Sequence, residues 1–254
     1  MTPRLKPFSI LLLALVLCIP GRPAEAQNPA DILRTMEEVM RGESSYTEMT
    51  MHIVRPRYER EISLRAWALG QDYSLIIVTA PARDEGTAFL LRENNIWNYD
   101  PRIDRTVRLP SSMMAQSWMG SDFTNDDLVR ESDIVEDYTH EILRRETYEG
   151  REAWVIELVP KPDSPIVWGK VITWICTESH IQLKVEHYDQ RDRLASTLLL
   201  DRIRTINGRE LPTRMTMLPE GSPNERTVLT QDVIEFDIDI APSFFTRQNM
   251  QRMR

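Results

Sequence analysis

Serine, histidine, cysteine and carboxylate side chains do most enzymatic chemistry, and in this 254-residue chain their spacing fits none of the common sites. Ser111 and Ser112 stand together before Met113, but no Gly-x-Ser-x-Gly turn surrounds them to present a nucleophile. His52, His140, His180 and His187 are scattered, with no His-Glu-x-x-His and no metal-ligand spacing. Asp122, Asp126 and Asp127 form an acidic group that could hold Ca2+ through oxygen ligands. Their spacing is not that of a calcium loop, and helix capping accounts for Asp127, so no metal is expected. Charged residues make up 28% of the chain, so some carboxylates will face any cleft, and a carboxylate pair for glycoside hydrolysis stays open without support. Cys176, inside Trp174-Ile175-Cys176-Thr177, reads as a buried strand thiol. No enzyme and no cofactor are expected.

What accumulates instead is apolar. Between Leu109 and Leu128 the two-residue rhythm of the flanking sequence stops, and Met113, Met114, Trp118, Met119 and Phe123 gather among small polar residues. Methionine is flexible and polarizable, and suits surfaces that adapt to varied apolar shapes. The segment is therefore expected to be a lid over an apolar cavity made by strands; filling of a core by the same residues is the competing reading. Trp67, Trp97 and Tyr99 on neighbouring strands are expected to join the cavity wall. Arg105 and Arg108, on a strand that runs into the lid, are candidates to hook a ligand headgroup or a lid carbonyl; exposed ion pairing is the simpler role for both.

The elements that must position these residues are nearly all strands. Residues 1–26 come first: Arg4 and Lys6, an apolar run from Ile10 to Ile19, and Ala24-Glu25-Ala26 together make a secretory signal peptide, with cleavage expected after Ala26. A lipoprotein signal acylated at Cys18 is disfavoured because Leu17, not a small residue, precedes the cysteine. Cleavage takes three of 31 basic and one of 39 acidic residues, leaving 28 against 38, a net of −10. An acidic surface argues against nucleic acid and against electrostatic attraction to anionic headgroups. Cys176 alone remains, so no intrachain disulfide is expected.

Asn28-Pro29-Ala30-Asp31 opens a helix, with Asn28 as cap and Pro29 at its first position. Ile32, Leu33, Met36, Val39 and Met40 form one apolar stripe, and Gly42 is placed to end it. From Tyr46 onward the period is two, giving thirteen candidate strands: six before the lid and seven between Thr139 and Ile238. Tyr73 to Thr79 is almost entirely apolar, which predicts cover on both faces. Thr124 with Asp127 predicts a capping box and a short helix through Leu128 and Val129. A closing helix capped by Ser243 is expected near the end of the chain. Short turns predict an antiparallel meander that curls into a barrel, with helix and lid over its concave face and residues 27–254 as one domain.

Three motifs then match a known family: Trp97-x-Tyr99-x-Pro101, Arg105-x-x-Arg108-Leu109-Pro110, and the block from Met113-Met114 through Gln116-Ser117-Trp118-Met119-Gly120-Ser121-Asp122-Phe123-Thr124-Asn125-Asp126-Asp127 to Leu128. Together they resemble the outer-membrane lipoprotein-sorting (LolA-like) proteins, in the branch typified by a treponemal lipoprotein domain. The resemblance covers the chain after residue 26. It implies an incompletely closed antiparallel β-barrel whose helices cover an apolar inner face that holds acyl chains. It also implies a periplasmic carrier of a lipoprotein or other lipid, with an inner-membrane exporter as partner; a monomer is expected. The alternative is a non-catalytic envelope interaction or sensor module on the same fold.

Overall fold

The computed structural model describes residues 27–130, 134–162, 164 and 166–253. The expected signal peptide, with Cys18, lies outside the described residues. All thirteen expected strands form: β1 Ser44–Arg55, β2 Tyr58–Leu69, β3 Tyr73–Ala80, β4 Ala88–Arg92, β5 Asn95–Asp100, β6 Arg105–Arg108, β7 Tyr138–Tyr148, β8 Arg151–Pro160, β9 Lys170–Cys176, β10 Gln182–Tyr188, β11 Leu194–Ile206, β12 Arg209–Pro219 and β13 Arg226–Phe236. They make one antiparallel sheet in the order β6-β5-β4-β3-β2-β1-β13-β12-β11-β10-β9-β8-β7. Each half is a meander, and the first and last strands pair at the centre. The free edges are therefore β6 and β7, the two strands that the lid connects. The sheet does not close on itself, and the lid that leads from one edge strand to the other packs on the concave side against β1–β4.

Helix α1, Pro29–Arg41, forms as its signals require. The Asn28 side chain accepts from the Ala30 N–H at 3.1 Å, and the Gly42 N–H caps the Glu38 carbonyl. Gly42 sits at φ +69°, and a Cβ there would come within 2.8 Å of the Phe236 ring. Ile32, Leu33 and Met36 bury the stripe against Tyr138, Trp154, Ile156, Leu158, Val171, Ile175, Val185 and Leu200 on the concave face of β7–β11. The Gln27 side chain, just before the helix, accepts from Trp154 Nε1 and from Arg145.

The strand β3 is covered on both faces. Ile76 and Val78 point into the concave cluster beneath the lid, while Leu75 and Ile77 point outward. The outer cover comes from the end of the chain. Phe245 and Met250 pack on Leu75, Ile77, Ala88, Leu90 and Tyr99, with Trp67, Tyr73 and Trp97 around them. Here one expectation is corrected: the closing α-helix α2, Arg247–Arg252, is capped by Thr246, whose side chain accepts from the Asn249 N–H at 3.1 Å. Ser243 lies in a preceding 3-10 turn, because Phe244 and Phe245 must first set their rings on the sheet. Among the described residues no helix is long and apolar enough to cross a membrane.

Candidate functional site: a latched lid over an apolar cavity

The lid is a loop that satisfies its own backbone. The Trp118 N–H donates to the Phe123 carbonyl at 2.8 Å, Asn125 N–H to Gln116 at 2.9 Å, and Asp126 N–H to Met114 at 3.1 Å. Met119 and Gly120 form the tip, with φ of 49° and 81°. The predicted capping box is present: the Thr124 N–H donates to Asp127 Oδ2 at 2.7 Å, and the Asp127 N–H donates to Thr124 Oγ1 at 3.1 Å. It starts a π-helical turn over Asp126–Arg130. With these groups paired inside the loop, its apolar side chains can leave water without stranding backbone.

Met114, Trp118 and Phe123 are 2%, 0% and 2% exposed, and pack on Met51, Ile53, Ile62, Leu64, Ile76 and Phe89 of the concave face. The Trp118 ring tilts over Phe89 at a centroid distance of 5.3 Å. Its Nε1–H is sealed in this cluster with no acceptor among the described residues, at a cost of about 1–3 kcal/mol. Met113 and Met119 lie half-buried at the margins of the same cluster.

The lid tip is tied to the barrel rim by charge. Arg55, at the end of β1, reaches Asp122 Oδ2 at 3.0 Å and the Gly120 carbonyl at 3.1 Å. Arg60, on β2, donates to the Met119 carbonyl at 2.9 Å and to Asp84 at 2.7 Å. From the other side, Thr227 Oγ1 of β13 accepts from the Asp122 N–H at 2.9 Å and donates to its carboxylate at 2.7 Å. Burial works against ionisation of Asp84, but hydrogen bonds from Arg83 and Arg60 outweigh it and hold the carboxyl below its usual range. Charge-assisted bonds to backbone carbonyls fix a loop position while leaving its apolar side chains free to shift.

Between lid and α1 lies a cavity of about 390 Å3. Leu198 and Met215, on β11 and β12, pack against both the lid cluster and the helix cluster, and so form its floor. Trp118, Phe123, Leu128 and Val129 close it from the lid, Met36 and Met40 from α1. The wall is mainly apolar, but polar and charged residues also line it, among them Glu37, Arg41, Asp126, Asp127 and Gln182. Another is His187 of β10, 7% exposed, whose Nδ1 lies 3.1 Å from Ser196 Oγ and whose ring stacks on Trp168 at 4.7 Å. Burial pushes its pKa down to about 4.

The structure thus divides the sequence-derived residues. Trp118 and Phe123 line the cavity; Met113, Met114 and Met119 belong to the lid packing around it. Trp97 and Tyr99 do not reach it. They lie on the outer face beneath the closing segment, and the Tyr99 hydroxyl donates to Asp104. Trp67 borders the cavity rim, but its ring packs outside against Tyr46 and Phe244. The cause is register: odd-numbered positions on β2, β3 and β5 face outward, and the covering helix makes that face apolar too. Arg105 and Arg108 stand exposed on the edge strand β6; the lid bonds come from Arg55 and Arg60 instead. The sequence carried a clue to these two, a basic hairpin from Arg55 to Arg60 and an acidic lid tip, but no local rule joins positions so far apart. Among the described residues no group of three or more His, Cys, Asp or Glu could hold a metal ion; Asp122 and Asp127 are engaged in the latch and the cap.

The unclosed barrel with a helix and a lid on its concave face is the LolA superfamily fold. A solved DUF1329 family protein from Desulfovibrio piger is similar at 25% identity and a TM-score of 0.80, over 87% of this chain and 97% of its own. An outer membrane lipoprotein-sorting protein domain from Vibrio parahaemolyticus aligns at 24% identity and TM-score 0.79, over 88% and 98%. A LolA superfamily protein from Nitrosomonas europaea aligns at 23% and 0.76, over 88% and 99%. A family model described as an uncharacterized protein matches residues 70–252. No curated protein matches the chain. The chain belongs to the family of that model, and it has the LolA superfamily fold that its motifs led one to expect.

Proposed function

We propose that this chain is a non-enzymatic periplasmic carrier that holds the acyl chain of a lipoprotein or other lipid in the cavity between lid and α1. It shuttles this cargo between envelope membranes as a monomer, loaded by an inner-membrane exporter. The observation that carries the reading is the cavity itself: mainly apolar, about 390 Å3, and closed by a loop that polar bonds, not deep packing alone, hold at the rim. That volume falls within the range of about 300–1,000 Å3 typical of small-molecule sites. The physical need is plain. A hexadecanoyl chain exposes about fourteen methylenes, which cost on the order of 11 kcal/mol in water at about 0.8 kcal/mol each. Release requires that the bonds from Arg55, Arg60 and Thr227 open and that the buried lid side chains lift from the sheet. The acidic surface keeps the loaded protein from adhering to anionic headgroups.

Two measurements test the reading: lipid extraction with native mass spectrometry of the protein purified from its envelope, and uptake of a fluorescent fatty acid. Co-purified lipid with saturable uptake is expected. A protein that is repeatedly ligand-free and takes up no probe would refute it. Cargo binding that survives while Trp118→Ala abolishes capture of a protein partner would favour the interaction-module alternative.

A further inference from the structure

The cavity wall carries one polar device whose hydrogen-bond bookkeeping points outward. Ser196 of β11 is buried, and its hydroxyl has one partner among the described residues, His187 Nδ1 at 3.1 Å. A hydroxyl always has a hydrogen to place. If Nδ1 carried the ring proton, the serine hydrogen and the Nε2 lone pair would both go unmatched. If the serine donates to Nδ1, both groups on that side are satisfied and the proton sits on Nε2. The second arrangement strands fewer groups and is favoured by the cost of about 1–3 kcal/mol for each buried unsatisfied group.

Nε2 makes no hydrogen bond to any described residue, and it is not among the polar atoms sealed inside the wall. His187 lines the cavity, held flat by its stack on Trp168, with apolar Val171 and Val185 lining the wall beside it. A single N–H is thus left without a partner among the described residues, on a residue that lines the cavity. Resting on the carrier reading, we propose that His187 Nε2–H is the anchor for the carbonyl oxygen of an ester-linked acyl chain. The cargo is then an O-acyl ester drawn in as far as its carbonyl, not a bare hydrocarbon tail and not a free fatty acid. Burial keeps the imidazole neutral at pH 7, with its pKa pushed down to about 4. A neutral donor matches a neutral carbonyl. A carboxylate would have to shed its hydration beside a neutral imidazole that offers it no charge, which is far more costly.

The test compares three pyrene-labelled probes of equal chain length: hexadecanoic methyl ester, hexadecanoic acid and hexadecane. The wild-type chain should bind the ester about tenfold more tightly than the alkane, the worth of one hydrogen bond, and the ester more tightly than the acid at pH 7. His187→Phe should erase the preference for ester over alkane while alkane binding persists, and His187→Gln, which restores a donor, should recover part of it. Should His187→Phe fail to fold, Ser196→Ala supplies the second arm: without the serine either ring nitrogen can carry the proton, so the preference should shrink. A wild-type protein that binds all three probes alike, or a preference that survives His187→Phe, overturns the assignment and leaves the carrier reading intact. Failure to bind any probe sinks both. Competition with a diacylglyceryl-cysteine peptide and with a diacyl phospholipid separates the two ester sources, and displacement by neither also overturns the proposal.

Discussion

Replacing Arg55 by methionine should free the lid without loosening the barrel. The guanidinium holds the lid tip twice, through Asp122 at 3.0 Å and the Gly120 carbonyl at 3.1 Å. Its side chain and that of Asp122 are only 13% and 10% exposed. Removing one member of such an enclosed pair costs about 3–5 kcal/mol. Thr227 still satisfies one Asp122 oxygen, and water reaches an opened rim, so the lower end, about 3 kcal/mol, applies here. That shifts the ratio of closed to open lid by roughly a hundredfold. Amide hydrogen exchange reads the change directly, because local opening and global unfolding carry separate free energies. The amides of Trp118, Asn125 and Asp126, which bond within the lid, should exchange about a hundredfold faster, while those of β3 keep their protection. Arg55 also touches the Val54 carbonyl, so a double-mutant cycle with Asp122→Asn isolates the latch; a coupling of about 1.5–3 kcal/mol is expected. Unchanged lid exchange, or lid and barrel accelerating together, would refute the latch.

Three further outcomes follow from the packing and the electrostatics. His187 is held neutral by burial, with a folded pKa near 4 against an ordinary value of 6.5; the unfolded chain then binds the extra proton between those values. Stability from this group is full above about pH 6.5 and declines as pH falls toward 4, by on the order of 3 kcal/mol; chemical denaturation at several pH values should show the slope, and His187→Gln should flatten it. Phe245→Ala should cost about 3–5 kcal/mol in denaturant melts, because the ring is fully buried on the outer face, yet leave acyl-probe affinity of the folded protein unchanged. Gly169→Ala should destabilise by about 2 kcal/mol or more, since its Cβ would meet the Asp189 carbonyl oxygen at 2.4 Å, with backbone on both sides of the clash; a melt no different from the parent's would refute the close approach.

Strand alternation made the sheet legible: the period-two runs, the proline stops and the Glu149-Gly150 and Asn207-Gly208 turns were enough to predict every strand of the meander. The capped first helix, the Gly42 stop and the Thr124–Asp127 box were equally readable, because caps are local chemistry. Which face of a strand turns inward was not. Alternation names two faces, and where a second element covers the outer one, both are apolar. Trp97 and Tyr99 therefore carried no mark of lying beneath Phe245. Ser243 and Thr246 are both competent caps, and only the seating of Phe244 and Phe245 decides between them. The latch was hidden for a different reason. Arg55 and Asp122 are far apart in the sequence and meet only once β1 has curled to bring the rim under the lid tip. His187 and Ser196 were one residue type among several until the register of β10 on β11 placed them side by side.

Photocross-linking with a hexadecanoyl ester carrying a diazirine at its chain end, followed by peptide mapping, tests the central claim most directly. The account predicts label on the cavity wall, at Leu198, Met215 or the lid residues Trp118 to Leu128, and loss of that label when unlabelled ester competes. Label concentrated instead on Trp97, Tyr99 or Phe245 of the outer face, or no competable label at all, would contradict it.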